Sequence, residues 1–339
     1  MIKFLRSLRS PRSRAAPSSS EVAIEVTRQG RCIPVPIQEF SIRRLHDGDK
    51  LRVIPRDNSF PVTWGDTIVP LPSGGSVRVP KVYKEVEFKG FRIPTHLVSL
   101  TGAGPETLET FGKAHIEKYE KYLGLAPEMT VVEVGCGIGR DAFQLFDFLS
   151  PSGCYVGIDV TRDSIEWCQQ NITTKFPNFR FFHVDAYSEL YNPYGQQELR
   201  YVLPMANNSV DRVVLASVFT HLLENEIIHY MSEFRRVLKP DGLVYASFFL
   251  FTPEAIEAAK TKRNTAWEAT FACPLGDGVY GNDPAYPRGA VAYTDTAFKR
   301  MLRGSGLELA RPYLKGWWSG LYGDAAEDGQ DAAVIRRSN

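Results

Sequence analysis

The stretch VVEVGCGIGRDA, from Val131 to Ala142, decides the fold of this 339-residue chain. An apolar run with one glutamate leads directly into three glycines, and the residues that follow have helical character. A strand followed by a glycine turn and a helix directs backbone N–H groups and a helix N-terminus at a ligand. This arrangement alone does not say whether the ligand carries a phosphate.

The spacing of the glycines argues against a pyrophosphate. A dinucleotide fingerprint has the spacing G-x-G-x-x-G, whereas Gly135, Gly137 and Gly139 follow G-x-G-x-G. Glu133 stands just before the first glycine, where a carboxylate would repel a pyrophosphate. The loop therefore suits a cationic or amino-bearing ligand better.

After Glu128 the chain alternates strands and helices, which predicts an α/β fold with a mostly parallel sheet covered on both faces. The predicted strands lie at about 130–134, 154–159, 179–184, 210–216 and 242–249. The predicted helices lie at about 139–149, 162–175 and 222–238. A further helix is capped at Thr294, and strands at about 307–315 and 330–336 could close the domain as an antiparallel hairpin.

Composition divides the chain into three parts. Residues 1–20 carry five basic residues and no acidic one, which predicts a disordered basic leader; a transit peptide is the alternative. Short β-rich pieces separated by Gly, Pro and Asn predict an accessory module over residues 21–95. Residues 96–339 are predicted to form the α/β domain, with insertions at 186–209 and 251–293.

Overall charge and cysteine usage exclude several classes of protein. The net charge of +1 provides no general field for nucleic acid or an anionic membrane, so neither partner is expected. The five cysteines form no C-x-x-C pair and have no histidine at zinc-ligand spacing, which predicts reduced thiols in a cytoplasmic protein and no metal site. No apolar run approaches the roughly 20 residues of a membrane span.

Two more predicted strands end in aspartates that would face the same crevice as the glycine loop. Asp159 ends the strand in CYVGIDV, where a carboxylate accepts hydrogen bonds from ribose hydroxyls. Asp185 follows the next strand, where its side chain or the neighbouring backbone could take an adenine amino group. An adenosine ligand is therefore expected, although Asp159 does not discriminate among such ligands.

Taken in order, six segments resemble the successive motifs of class I S-adenosylmethionine-dependent methyltransferases: VVEVGCGIGR, GIDV, HVDAY, VDRVVLASVFTHL, RVLKPDGLVYASFF and MLRGSGLEL. The resemblance covers about residues 105–339. It implies a Rossmann-like, doubly wound sheet of seven strands with an antiparallel last strand, and S-adenosyl-L-methionine as the cofactor. The cofactor contacts that it implies are Glu133, Gly135, Cys136, Gly137, Gly139, Asp159, Val160, Asp185, Ala186 and Ser217.

Substrate residues are expected on the segments that leave the carboxyl ends of the strands. The candidates there are Tyr187, Tyr194, His221, Tyr293, Trp317 and Trp318. Each aromatic side chain could equally serve ordinary packing. His221 is the candidate general base because its free pKa lies near neutrality. It could also only pack beside the cofactor, and an acceptor that is already nucleophilic needs no base.

The expected function is in-line transfer of a methyl group to a small-molecule or glycan-like acceptor. Oxygen is favoured as the methylated atom because no Asn/Asp-Pro-Pro-aromatic motif follows the fourth strand. Large insertions favour an enclosed pocket over a flat macromolecular surface. The N-terminal module could cap the substrate or form a homodimer. A nicotinamide-dependent oxidoreductase and a non-catalytic cofactor-binding scaffold remain the alternatives.

Overall fold

A computed structural model describes most of the chain. The described residues are 22–28, 31–35, 50–55, 62–70, 76–102, 104–188, 190–192, 195–196, 201–261 and 269–338, with side chains from Glu85 onward. The chain divides into two compact units, Met1–Pro105 and Glu106–Asn339. The predicted leader over residues 1–20 lies outside the described residues. Within the described ranges, no helix has the length and apolar character needed to cross a membrane.

Short antiparallel strands make up the described part of the first unit. They are β1 (Val22–Arg28), β2 (Arg31–Val35), β3 (Lys50–Pro55), β4 (Val62–Pro70), β5 (Ser76–Phe88) and β6 (Phe91–Pro94). They pair into two three-stranded sheets, with the orders β2-β1-β3 and β4-β5-β6. Helix α1 (Thr95–Ser99) follows and belongs to the same unit. The end of the β-rich module at residue 95 stays a prediction.

The second unit is built on a central twisted sheet. Its strands are β7 (Thr130–Val134), β8 (Cys154–Asp159), β9 (Phe179–His183), β10 (Val210–Leu215), β11 (Leu238–Leu250), β12 (Cys273–Gly276), β13 (Val279–Gly281), β14 (Val291–Tyr293), β15 (Leu307–Leu309) and β16 (Asp331–Arg337). Seven of them run in the order β9-β8-β7-β10-β11-β16-β15. The first five of these are parallel, and β16 is antiparallel to both neighbours. The predicted seven-stranded sheet is confirmed.

Six helices are described in this unit, and four of them lie at the predicted places with some changes of length. They are α2 (Leu108–Leu123), α3 (Arg140–Leu145), α4 (Arg162–Cys168), α5 (Glu224–Val237), α6 (Pro253–Thr261) and α7 (Asp295–Gly304). Helix α3 is shorter than predicted because Gly139 has a left-handed φ of 80° and the chain after Leu145 turns more tightly. A π-type turn, Gln169–Thr173, replaces the second half of the helix predicted over 162–175.

The insertion after β11 is more regular than the sequence indicates. Its three short strands β12, β13 and β14 extend the sheet, because Phe249 and Leu250 at the end of β11 pair with Ala292 and Tyr293 of β14. Strands of three or four residues rich in Gly and Pro give no detectable alternation pattern. The three strands therefore widen the sheet at its carboxyl edge, where the candidate site lies.

Strand β15 ends at Leu309, well before the predicted end at residue 315. Pro312 follows closely and lacks the N–H group that a sheet ladder needs.

Helix α7 packs on the core of this unit, and its Thr294 cap accepts a hydrogen bond from the Ala297 N–H at 3.2 Å. Phe298 of this helix stacks on Phe248 of β11 with ring centroids 4.4 Å apart. Packing of this kind fixes the strand ends that carry the site.

Candidate active site

The glycine loop between β7 and α3 has a conformation that side chains disfavour. Gly135, Gly137 and Gly139 have φ values of 80°, 52° and 80°, in the left-handed region that glycine adopts at no steric cost. The Gly135 N–H donates to the carbonyl of Ile158 in β8 at 2.7 Å. A Cβ on Gly135 would lie 2.4 Å from Cγ2 of Val218. The loop is therefore closely packed between the end of β8 and the turn that follows β10.

Asp159 joins the end of β8 to this loop. One carboxylate oxygen accepts the Gly137 N–H at 2.7 Å. The other accepts both the N–H and the hydroxyl of Thr161, each at 2.7 Å. A carboxylate has about four accepting positions, so these three bonds leave one of them open. The side chain is only half-buried and can reach a ligand in the crevice.

Glu133 lies buried at the end of β7, beneath the loop. Its exposed fraction is 5%, and it accepts a short hydrogen bond from the Tyr155 hydroxyl of β8. Burial raises the pKa of Glu133 well above its usual value, and the nearby charge of Asp141 acts in the same direction. A cationic group entering the crevice would relieve the cost of ionising this carboxylate.

Asp141, in the first turn of α3, is a second buried carboxylate in this region. The Nδ1 atom of His115 lies 3.0 Å from both of its oxygens, and the Tyr119 hydroxyl donates to one of them at 2.9 Å. Burial alone would raise the pKa of Asp141, but His115, Arg140 and Tyr119 together hold it below its usual value. Helix α2 is thereby tied to the start of α3.

Of four further predicted cofactor residues, one lies in the glycine loop and three lie just after the ends of β8 and β9. The thiol of Cys136 is buried and directed at the carbonyl of Gly137. Val160 is partly buried, and its carbonyl accepts a hydrogen bond from His183 at 3.2 Å. Asp185 is exposed, Ala186 is buried, and Asn192 donates to both of them at 3.3 and 3.1 Å. Their contacts to the cofactor stay predictions.

The turn after β10, residues 217–221, contains a strained residue. Ser217 has a φ of 60°, which is rare for a side chain other than glycine. Its N–H donates to the Ser247 hydroxyl at 2.8 Å, and its own hydroxyl donates to Gln330 at 3.0 Å. Thr220 closes the turn through a 2.8 Å bond to the Ser217 carbonyl. Strain of this kind persists only where the surroundings hold it, and it is typical of functional sites.

His221 ends the same turn and has a defined tautomer. Its Nδ1 atom lies 3.0 Å from the carbonyl of Arg288, which can only accept, so Nδ1 carries the proton. The Arg288 guanidinium is held in turn by Glu226 at 2.9 Å. Burial lowers the pKa of His221, so the ring is neutral at physiological pH. The Nε2 atom is left as a proton acceptor.

The structure brings some of the candidate substrate residues to this place and buries others. Tyr187 lies beneath the Arg288 guanidinium, 5.5 Å from ring centroid to cation, and the ring of Tyr191 meets that of His221 edge-on at 6.1 Å. Tyr194 lies outside the described residues. These contacts join the segment after β9, the turn after β10 and the insertion after β11.

The remaining candidates have quite different environments. Tyr293 is fully buried, and its hydroxyl lies 2.7 and 2.5 Å from the carbonyls of Phe219 and Leu222, between which its single proton is shared. Trp318 is buried and donates to Asp331 at 2.6 Å, whereas Trp317 is 49% exposed. Their substrate roles stay predictions, and in this conformation neither Tyr293 nor Trp318 offers a free polar atom.

The sequence analysis did not identify the residues that orient the site residues through hydrogen bonds. Arg288 lies in a Gly- and Pro-rich insertion with no periodicity, so nothing singled it out. His115 and Tyr119 lie on α2 at a spacing of four, which places them on one helix face. That spacing was a usable signal, but only the fold shows that Asp141 lies opposite them.

Comparison with known proteins identifies a family model over the same region. Residues 125–282 match a model described as "Methyltransferase domain". The matched segment begins before β7 and ends within the insertion after β11, so it contains the glycine loop, Asp159 and the turn after β10.

Individual relatives are distant. The chain is 26% identical over 130 residues to "tRNA N(3)-cytidine methyltransferase METTL2" from Gallus gallus, which covers 38% of this chain and 32% of the relative. The chain therefore spans about a third of the length of that curated protein. The PH0226 protein from Pyrococcus horikoshii OT3 is 16% identical, with a TM-score of 0.43, covering 67% of this chain and 91% of that one. A SAM-dependent methyltransferase from Aquifex aeolicus is 17% identical, with a TM-score of 0.40, covering 69% and 98%.

Proposed function

We propose that this chain, whose residues 125–282 match the methyltransferase domain model, is a class I S-adenosylmethionine-dependent methyltransferase. Its acceptor in this proposal is a hydroxyl of a discrete organic compound, either a small molecule or a glycan-like compound. The cofactor supplies an electrophilic methyl group on a sulfonium, with a neutral leaving group. The protein then has to align the acceptor oxygen, exclude water and remove one proton.

The residues around the glycine loop fit this cofactor. Gly135 is exposed and has no side chain to block the crevice, and Glu133 supplies a buried carboxylate for an amino group. Asp159 has one accepting position open for a ribose hydroxyl. A hydrogen bond from the second ribose hydroxyl to Asp159 requires the Thr161 hydroxyl to turn away, which a rotatable hydroxyl can do.

His221 is the group that we assign to proton removal. The observation that carries this assignment is the 3.0 Å contact of its Nδ1 atom to the Arg288 carbonyl, which leaves Nε2 as a neutral base. Its lowered pKa keeps the base form populated near neutral pH. A hydroxyl acceptor needs such a base, whereas an amine or thiolate acceptor does not.

The contacts among three segments support a discrete acceptor. The rings of Tyr191 and His221 meet at 6.1 Å, and Arg288 lies over Tyr187 at 5.5 Å. These side chains belong to the segment after β9, the turn after β10 and the insertion after β11. Small ligands bind preferentially where several segments converge over the carboxyl ends of parallel strands, and these contacts show such a convergence.

A second candidate acceptor is tRNA, and the relative from Gallus gallus is the observation that favours it. The expectation that nucleic acid is excluded as a partner is therefore withdrawn. A net charge of +1 gives little of the phosphate attraction that nucleic-acid binding normally uses. The small acceptor stays the preferred proposal for that reason.

The two acceptors can be separated in one assay. The full chain is incubated with methyl-labelled S-adenosylmethionine and either a mixture of hydroxylated aromatic and sugar compounds or unmodified tRNA, with Asp159→Ala as the control. Label in a compound below 1 kDa, absent with the control variant, supports the proposal. Label that enters tRNA and is released by ribonuclease replaces it with the second candidate. Label in neither, with cofactor binding intact, contradicts both acceptor classes.

A further inference from the structure

The carboxamide of Gln330 lies beside the turn 217–221, and its oxygen and its NH₂ group have different surroundings. Gln330, just before β16, is 8% exposed. Its Oε1 atom accepts from the Ser247 hydroxyl at 2.7 Å and from the Ser217 hydroxyl at 3.0 Å. Both hydrogen bonds that the described residues make with this carboxamide go to Oε1, and none of them goes to Nε2.

The orientation of this carboxamide follows from the groups around it. The backbone N–H of Ser217 can only donate, so the Ser247 hydroxyl accepts it at 2.8 Å. The oxygen of the carboxamide faces this hydroxyl at 2.7 Å and the Ser217 hydroxyl at 3.0 Å, and it accepts a hydrogen bond from each. The two donor hydrogens on Nε2 therefore point away from both serines.

The strained backbone of Ser217 belongs to the same arrangement. A φ of 60° is unfavourable for a residue other than glycine, and here the N–H of Ser217 donates to Ser247 and its hydroxyl donates to Gln330. Val218, the next residue, lies against Gly135 of the glycine loop. Gln330 is thus anchored to the turn that borders the cofactor crevice.

We propose that Gln330 binds the acceptor, through a hydrogen bond from Nε2 to an oxygen of the acceptor that lies next to the methylated hydroxyl. The inference rests on the proposed function and makes it more specific. An NH₂ group is only a donor, so it selects a hydrogen-bond acceptor such as a carbonyl oxygen. A carbonyl oxygen only accepts, whereas a hydroxyl also donates, so the carbonyl is the better match for a group that only donates. The chemical class assigned is a hydroxy-carbonyl compound, in which the carbonyl carbon neighbours the carbon that bears the hydroxyl.

The variant Gln330→Glu tests this assignment with little change of shape. A glutamate keeps an oxygen for the two serine hydroxyls and removes the donor. The probes are pairs of hydroxylated compounds that differ only in the neighbouring carbonyl, and methyl transfer is measured for the full chain. We expect the wild-type protein to prefer the carbonyl-bearing members, and the variant to lose about tenfold in kcat/KM on them, chiefly through KM.

Two controls separate binding of the acceptor from a structural role. The affinity for S-adenosylhomocysteine, whose sulfur is uncharged, should stay within about twofold of wild type in Gln330→Glu. Gln170→Glu, at an exposed position, introduces the same charge and should leave both measurements unchanged.

Three results would overturn the inference. The first is a wild-type protein that shows no preference for carbonyl-bearing compounds, or methylates none of the pairs while it binds S-adenosylhomocysteine. The second is a Gln330→Glu variant that keeps the preference. The third is loss of S-adenosylhomocysteine affinity in that variant, which makes Gln330 structural. Failure of the wild-type protein to bind S-adenosylhomocysteine at all would instead contradict the proposed function itself.

Discussion

The carboxylate of Asp159 accepts a hydrogen bond from the backbone N–H of Gly137 at 2.7 Å. This contact links the end of β8 to the glycine loop after β7, so one side chain shapes the loop and is partly exposed in the crevice beside it. Asp159→Ala should therefore weaken binding of S-adenosylhomocysteine at least about tenfold, because a hydrogen bond to a charged group contributes about 1.5–3 kcal/mol. Isothermal calorimetry on the full chain measures this, and an unchanged affinity would refute the assignment.

The second prediction concerns the close approach of Gly135 to Val218. In Gly135→Ala the new Cβ would meet Cγ2 of Val218 at 2.4 Å, and the backbone would keep a φ of 80°. We expect a loss of about 1–3 kcal/mol in the free energy of unfolding, together with weaker cofactor binding.

Gly124→Ala is the matched control for that variant. Gly124 also has a left-handed φ, of 59°, but nothing lies within 4 Å of the position that its Cβ would take, so only the backbone cost applies. It should lose about 1–2 kcal/mol of stability and bind S-adenosylhomocysteine normally. Equal loss of cofactor affinity in both variants would show that the Gly135 contact is unimportant for the site.

The third prediction follows from the buried carboxylate of Glu133. Its pKa is raised in the folded state, so the folded protein binds this proton more tightly than the unfolded chain does. The stabilisation from this proton is fully present below the pKa that Glu133 has in the unfolded chain, about 4.3. It is lost as the pH rises through the pKa that Glu133 has in the folded protein. Wild-type stability should therefore fall with rising pH within that window.

Glu133→Gln isolates this effect, since a glutamine oxygen still accepts the Tyr155 hydroxyl. The difference in unfolding free energy, variant minus wild type, should grow by about 1.4 kcal/mol for each pH unit inside the window. Urea denaturation between pH 5 and 8 measures it. Two curves that run parallel over this range would contradict the burial-driven shift.

The fourth prediction tests His221 as the base. His221→Gln retains an N–H for the Arg288 carbonyl and removes the basic nitrogen, so kcat should fall about 10²-fold or more with the affinity for S-adenosylhomocysteine unchanged. In the wild-type protein the activity should rise with pH and level off, with the midpoint below 6.5 because burial lowers the pKa of His221. A variant with the wild-type kcat would leave His221 as a packing residue.

The fold could be predicted from the sequence because its signals are local. The glycine loop, the strand that ends in Asp159 and the cap at Thr294 each depend on neighbouring residues, and the order of the motifs fixes the sheet. Strands β12 to β14 escaped prediction because three-residue strands get their stability from the end of β11 rather than from their own pattern.

The site could be predicted only in part, for a similar reason. The candidate ligand-binding residues follow strand ends, which a sequence reveals. Residues that orient them, such as Arg288 behind His221 and His115 behind Asp141, come from distant segments, at separations of 67 and 26 residues. Their roles follow from which elements pack together, and no local pattern of one sequence contains that information.

The central claim is that the crevice over β7, β8 and β10 holds S-adenosylmethionine for methyl transfer. A crystal structure of the full chain with S-adenosylhomocysteine tests it most directly. The account predicts ribose hydroxyls within hydrogen-bond distance of Asp159, the amino group over Glu133 and the glycine loop, and the sulfur facing the turn that contains Ser217 and His221. A ligand bound elsewhere, or one whose ribose contacts a different carboxylate, would contradict it.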